Sequence, residues 1–181
     1  MVGLHPDLDR VLFTEDEIRN RVKELGARIT QDYAGERIVV VSILRGAAIF
    51  MADLVREIKL PLEMDFMAVS SYGNAAKSSG EVRVLKDLTN PIAGKHVIIA
   101  EDVLDSGLTL RYLMKELESR NPASLEIAML LHKNTPRQAD IDCKYIGFEC
   151  PDEFIVGYGL DYAERYRNLP FIGVLKPEII K

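Results

Sequence analysis

A chain of 181 residues with 48% apolar and 28% charged side chains fits one domain that buries roughly 70% of its extended surface, and it is too apolar for a largely disordered protein. A net charge of −5 argues against a general nucleic-acid binder, whose affinity needs a basic face. Cys143 and Cys150 and the scattered His5, His96 and His132 give neither a disulfide framework nor a metal cluster, and no signal segment or membrane-length apolar run is present, so a cytoplasmic protein without a membrane partner is expected.

In chain order, Thr14-Glu15-Asp16-Glu17 is a capping box flanked by Phe13 and Ile18 as a hydrophobic staple, and Ile18, Val22, Leu25 and Ile29 mark one face of the helix that follows. Arg37 to Ile43 is a β-branched run that suits a buried strand, leading through Leu44-Arg45-Gly46 into an apolar helix from about Ala47 to Ile58. Glu63 to Ser70 predicts another strand. The chain then turns small and polar from Ser71 and Tyr72 to Gly80, a segment expected to be mobile, before Glu81 to Lys86 alternates like an exposed strand. Asn90-Pro91 and Gly94 punctuate a turn. A buried strand begins at His96 and ends in two acids, Glu101 and Asp102; a polar turn follows, then a helix with Leu110, Leu113, Met114 and Leu117 on one face, closed by Asn121-Pro122. Ser124 to Leu131 predicts a buried strand and Asn134 to Asp142 a polar loop, with shorter strands at Tyr145 to Glu149, Phe154 to Tyr158 and Phe171 to Leu175. Alternating strands and helices imply an α/β fold with a mostly parallel, twisted sheet flanked by helices, binding ligands at the carboxyl ends of its strands.

The stretch from Glu101 to Thr109 carries the chemistry. A loop entering a helix suits an anion, because the first N–H groups of the helix lack partners and the dipole adds positive charge there. Ser106 and Thr109 add hydroxyl donors, and Gly107 permits close approach. Two acids beside an anion site must face something else, either sugar hydroxyls or a divalent cation. A phosphorylated sugar satisfies both halves. One glycine is too few for the dinucleotide fingerprint, and no G-x-x-x-x-G-K-[ST] occurs.

Glu-Asp-Val-Leu-Asp-Ser-Gly-Leu-Thr at 101–109 resembles the phosphoribosyl diphosphate (PRPP) signature of the phosphoribosyltransferases, most closely their hypoxanthine-guanine members. The similarity runs from about Val39 to Leu175. It implies a type I phosphoribosyltransferase-like fold forming a single domain over 1–181, with a small hood built from the N- and C-terminal segments. It implies that Leu44, Arg45 and Gly46 bind pyrophosphate through amides exposed by a cis peptide, that Ser71 and Tyr72 open a lid over about 70–81, and that Arg167 pairs with pyrophosphate oxygens. By the same resemblance, Lys133 contacts the exocyclic oxygen of a purine, Phe154 stacks on the base, Ile155 offers backbone contacts to its edge, and Asp161 holds magnesium on the pyrophosphate side. The hood carries the purine site mainly over 133–181.

The implied reaction is Mg-dependent transfer of the 5-phosphoribosyl group from PRPP to a 6-oxopurine, giving IMP or GMP and pyrophosphate in purine salvage. Ser106, Gly107, Leu108 and Thr109 would hold the 5′-phosphate, and Glu101 and Asp102 the ribose hydroxyls, with Glu101, Asp102 and Asp161 as metal-facing acids. Adjacent strand residues point to opposite faces, so if both acids reach the ribose the extended conformation must break there. Asp105 is the candidate general acid/base at the purine ring nitrogen, the task left unfilled by the other residues. Alternatives are a PRPP-sensing, nucleic-acid-binding regulator of the same fold and a xanthine- or pyrimidine-preferring transferase. A homodimer or homotetramer is implied by resemblance alone.

Overall fold

The computed structural model describes residues 5–71, 82–104, 107–133 and 141–180, leaving out the side chains of Ser71 and Leu104. Nine strands and three α-helices follow in the order β1 Leu8–Phe13, α1 Glu15–Asp32, β2 Ile38–Leu44, α2 Ala48–Glu57, β3 Leu62–Ser71, β4 Val82–Lys86, β5 His96–Leu104, α3 Leu108–Glu118, β6 Ser124–Lys133, β7 Tyr145–Cys150, β8 Ile155–Val156 and β9 Ile172–Leu175, with a short 3₁₀ turn at Pro177–Ile179 among the described residues.

Six strands form the main sheet in the order β4-β3-β2-β5-β6-β7. All neighbours run parallel except β3 and β4. The chain leaves β2 toward β3 on one side, then returns to place β5 and its successors on the other. This reversal makes a crevice at the carboxyl ends of β2 and β5, where open α/β sheets bind ligands.

Helix spacing decides the layers. Ile18, Val22, Leu25 and Ile29 of α1 and Phe50, Met51 and Leu54 of α2 bury against one face of the sheet, whereas Leu110, Leu113 and Leu117 of α3 bury against the other. Thr14 caps α1 as expected: its hydroxyl accepts from Glu17 N–H at 3.3 Å while the Glu17 carboxylate accepts from Thr14 N–H at 2.8 Å. Phe13 and Ile18 join the same core, and Phe13 also stacks on Phe148.

The N- and C-terminal segments meet in a second, antiparallel sheet of order β1-β9-β8, with its own core of Leu8, Val156, Tyr166, Phe171 and Leu175. β1 is the strand that local pattern did not give. Its burial does not alternate, and its partner lies at the far end of the chain, in a ladder with two register shifts. The strand expected over Phe154 to Tyr158 shortens to Ile155–Val156 because Gly157, Tyr158 and Gly159 all take positive φ, at 101°, 50° and 100°. No described helix is long and apolar enough to cross a membrane.

Candidate active site

At the end of β5 the pleat changes phase. The β5–β6 ladder pairs Glu101 with Met129 and Val103 with Leu131 but passes over Asp102. Val97, Ile99, Ile127 and Met129 pack beneath α3, yet Val103 and Leu131 pack into the α1/α2 core. A strictly extended strand would keep 97, 99 and 103 on one face. The break that would let both acids turn to one side is therefore present, and it is shared by the neighbouring strand. Gly147 of β7 flanks it, where a Cβ would fall 2.4 Å from the Leu130 carbonyl oxygen.

Asp102 turns toward the β2–α2 loop. Its Oδ1 accepts from Val103 N–H at 2.7 Å, and its Oδ2 lies where a Cβ on Gly46 would come within 1.9 Å. Gly46 is equally close to the hood, since a Cβ on Gly159 would fall 2.1 Å from the Gly46 carbonyl oxygen. Three loops thus converge at the crevice. Burial pushes the Glu101 carboxyl well above its usual range, with the Asp102 charge adding to it and the Asp102 N–H opposing it. Burial also raises Asp102, helped by Asp161 and opposed by the Val103 N–H and the Arg167 charge. Two acids held this way accept well from hydroxyls and favour a cation.

On the far side of β5, Gly107 caps α3 at φ 73° without any side-chain hydrogen bond to the first turn. Arg111 N–H donates to the Gly107 carbonyl at 2.9 Å, closing the first intrahelical ring. The N–H groups of Gly107, Leu108 and Thr109 precede that ring, and a helix start of this kind can receive an anion. Leu108 is exposed and its side chain is apolar, so only its backbone could contact an anion there. Asp105 and Ser106 lie outside the described residues.

The Leu44–Arg45 peptide is cis. Arg45 Nη2 donates to Glu164 Oε1 at 2.6 Å. Arg167 donates to the Gly159 carbonyl at 2.7 Å and lies 2.8 Å from Asp161 Oδ1, while its buried Nε has no partner among the described residues. Ser71 ends β3 opposite Val82; Tyr72 and the lid expected to 81 lie outside the described residues.

Lys133 ends β6 with only 13% of its side chain exposed, its Nζ 3.7 Å from Asp152 Oδ1. Phe154 keeps 42% of its surface exposed and meets Tyr162 edge to face at 5.2 Å. A core phenylalanine would not. Ile155 is buried, on the edge strand of the hood sheet, so its backbone has one side free of strand pairing.

Asp102 and Asp161 feel each other's charge, but Glu101, Asp102 and Asp161 do not close a three-ligand metal cage, and no such group occurs among the described residues. Sequence reasoning missed Glu164, Gly159 and Asp152. The three-residue spacing of Asp161, Glu164 and Arg167 was the available signal for the first of these. A groove of about 590 Å³ between α1, α2 and the 168–170 segment touches none of the expected site residues; the converging charge marks the β2–β5 crevice instead.

A parallel sheet with a phosphate-type helix start and an acid pair at its switch point defines a phosphoribosyltransferase, and the sequence model of the phosphoribosyl transferase domain matches residues 14–163. A hypoxanthine-guanine phosphoribosyltransferase of Bacillus subtilis is 53% identical over 173 residues, 96% of each chain. The crystal structure of a hypoxanthine phosphoribosyltransferase from Staphylococcus aureus superposes with a TM-score of 0.95 at 52% identity, covering 100% of this chain and 99% of that one. A hypoxanthine phosphoribosyl transferase from Trypanosoma cruzi, studied for the role of its C-terminal region in oligomeric state and activity, has a TM-score of 0.92 at 41% identity, covering 98% and 96%. The chain belongs to the hypoxanthine-guanine phosphoribosyltransferase family.

Proposed function

We propose that the chain performs this family's reaction, transferring the 5-phosphoribosyl group of PRPP to a ring nitrogen of hypoxanthine or guanine, to give IMP or GMP and pyrophosphate in cytoplasmic purine salvage. The observation that carries it is the convergence of Asp102, Gly46 and Gly159 at the crevice, with Arg167 donating to the Gly159 carbonyl, Arg45 and Arg167 both facing Glu164, and the start of α3 capped by no side chain.

In this assignment the amides from Ser106 to Thr109 hold the 5′-phosphate, and Glu101 and Asp102 accept from the ribose hydroxyls. The bond from the anomeric carbon to pyrophosphate breaks as the bond to the purine nitrogen forms. Asp105 takes the proton that nitrogen loses. Arg45, Arg167 and the amides of 44–46 receive the diphosphate, with Ser71 and Tyr72 closing over it. Lys133 offers only donors, so it selects a 6-oxo over a 6-amino group; Phe154 stacks on the base and Ile155 reads its edge. Magnesium fits the donor set, because its hard octahedral shell takes one or two carboxylates and completes itself with water and substrate oxygens. One or two of Glu101, Asp102 and Asp161 would hold it, and it would neutralise charge on the leaving pyrophosphate. The assembly proposed is a homodimer or homotetramer, with no nucleic-acid partner.

The deciding experiment offers magnesium PRPP with hypoxanthine, guanine, xanthine and adenine separately, following nucleotide and pyrophosphate. Hypoxanthine and guanine should be converted and adenine left untouched. Absence of pyrophosphate release with all four bases would overturn the assignment.

A further inference from the structure

Glu164 stands between the two arginines assigned to pyrophosphate. Its Oε1 accepts from Arg45 Nη2 at 2.6 Å, and its Oε2 lies 3.9 Å from Arg167 Nη2. The turn that carries it is built to hold that position. Asp161 Oδ2 accepts the Glu164 backbone N–H at 2.9 Å, and Tyr162 and Arg165 exchange backbone hydrogen bonds of 3.2 and 3.1 Å around it. Ala163 and Glu164 both sit at positive φ, 50° and 63°, a region that residues with a Cβ seldom enter. Asp161 meanwhile ties Arg167 to the same turn at 2.8 Å. A carboxylate with two oxygens facing two guanidinium groups repeats the contact pattern of a bound diphosphate.

We propose that Glu164 is an internal stand-in for pyrophosphate, a positioning residue that keeps Arg45 and Arg167 aimed at the crevice when it is empty and that an arriving diphosphate must displace. Competition of this kind weakens the hold on pyrophosphate and hastens its departure after transfer. The inference rests on Arg45 and Arg167 being the pyrophosphate-binding residues. Arg45 and Glu164 are 67% and 61% exposed, so the effect has the size of a solvent-screened ion pair, about two- to fivefold in affinity.

The test is titration calorimetry of sodium pyrophosphate, in magnesium chloride at low salt, into the wild type, Glu164→Gln, Arg45→Met, Arg167→Met and the double variant Glu164→Gln with Arg45→Met. Glu164→Gln should bind pyrophosphate about two- to fivefold more tightly, and most of that gain should vanish once Arg45 is removed. Unchanged or weaker binding by Glu164→Gln, with Arg45→Met weakened, overturns the stand-in while leaving the subsite intact. A gain of equal size with and without Arg45 overturns it as well, because long-range charge alone would then explain it. If neither arginine variant changes affinity, the pyrophosphate assignment fails first and the inference falls with it. Glu164 is exposed enough that its variant should fold, which thermal melting checks.

Discussion

Gly46 and Asp102 meet so closely that no side chain could stand between them: a Cβ at 46 would lie 1.9 Å from the Asp102 carboxylate. The contact joins the turn after β2 to the end of β5, the two strands between which the sheet reverses direction. Position 46 is therefore fixed by what the acid needs, not by a turn conformation, since its φ is not among the positive ones.

Gly46→Ala follows directly. The new methyl must push the Asp102 carboxylate out of its Val103 N–H bond, which should cost about 1 kcal/mol and lower Tm by roughly 2–4 °C. The larger effect should be on ligand binding, with PRPP affinity falling at least about tenfold, the loss of one charge-assisted hydrogen bond. Thermal melting and calorimetry with magnesium PRPP separate the two, and a variant that binds PRPP normally would remove Asp102 from the ribose site.

Phe154 and Lys133 test the purine end. Phe154 is 42% exposed and outside the core clusters, so Phe154→Ala should leave Tm nearly unchanged. Base stacking on an aromatic ring is worth about 1–3 kcal/mol. The purine KM should therefore rise about 5- to 150-fold with the PRPP KM little altered. Lys133→Ala should raise the same constant, and an unchanged purine KM in either variant would count against that residue's role.

Asp105→Asn keeps the size of the side chain and removes its basicity. The variant should fold and bind magnesium PRPP, but turnover should drop by about 10²- to 10⁴-fold, the usual contribution of a positioned proton acceptor. Single-turnover kinetics at saturating substrates checks this; near-normal rates would clear Asp105 of the proton transfer.

The sheet and its three helices were legible because their apolar residues follow strict periods: Ile18, Val22, Leu25 and Ile29 at helical spacing, and the β-branched run from Ile38 to Val41 as a strand buried on both faces. The PRPP motif was legible because one strand, one turn and one helix lie consecutively. The hood sheet was readable only through resemblance, since β1 and β9 are held together by a ladder between opposite ends of the chain. The phase change at Asp102 could be stated as a requirement but not located in β6, because it depends on how three strands share one row. Glu164 was only partly legible: Arg167 lies three residues further on, but its hydrogen-bonding partner at 45 meets it only after the chain has folded back on itself.

Asp65 supports a prediction about pH and stability. It is 7% exposed in β3 and accepts from Phe66 N–H at 2.8 Å, Thr89 N–H at 2.7 Å, Thr89 Oγ1 at 3.1 Å and Asn90 N–H at 3.3 Å. Burial alone would raise its carboxyl, but the combined donors hold it below its ordinary value. A carboxyl depressed in the folded state adds stability that is complete above its unfolded pKa of about 3.9 and is lost as pH falls through the folded value. Asp65→Asn should thus cost about 1.5–3 kcal/mol at neutral pH, or roughly 3–12 °C in Tm. The gap between wild type and variant should narrow below about pH 4. Parallel melting curves from pH 3 to 7 check it, and a gap that does not change with pH would mean that Asp65 acts by shape alone.

The two thiols give the last prediction. Burial pushes both Cys143 and Cys150 up to about 11. Lys133 pulls Cys150 back, though by less than burial raises it, and Glu149 and Asp152 reinforce the rise. Only the thiolate is nucleophilic, and at pH 7.5 a group with a pKa near 11 is ionised to roughly one part in three thousand, against about one in ten for an ordinary cysteine near 8.5. Iodoacetamide should accordingly modify the folded protein more than about tenfold more slowly than free cysteine, the scarcity of thiolate outweighing its greater nucleophilicity, with the rate climbing tenfold per pH unit up to about pH 10. Cys150 sits in the core beside the end of β6, whereas Cys143 is only half-buried, so Cys143 should react first. Mass spectrometry of the two peptides over a time course resolves the order, and rapid labelling of Cys150 at neutral pH would show that the β6–β7 edge opens far more readily than its packing implies.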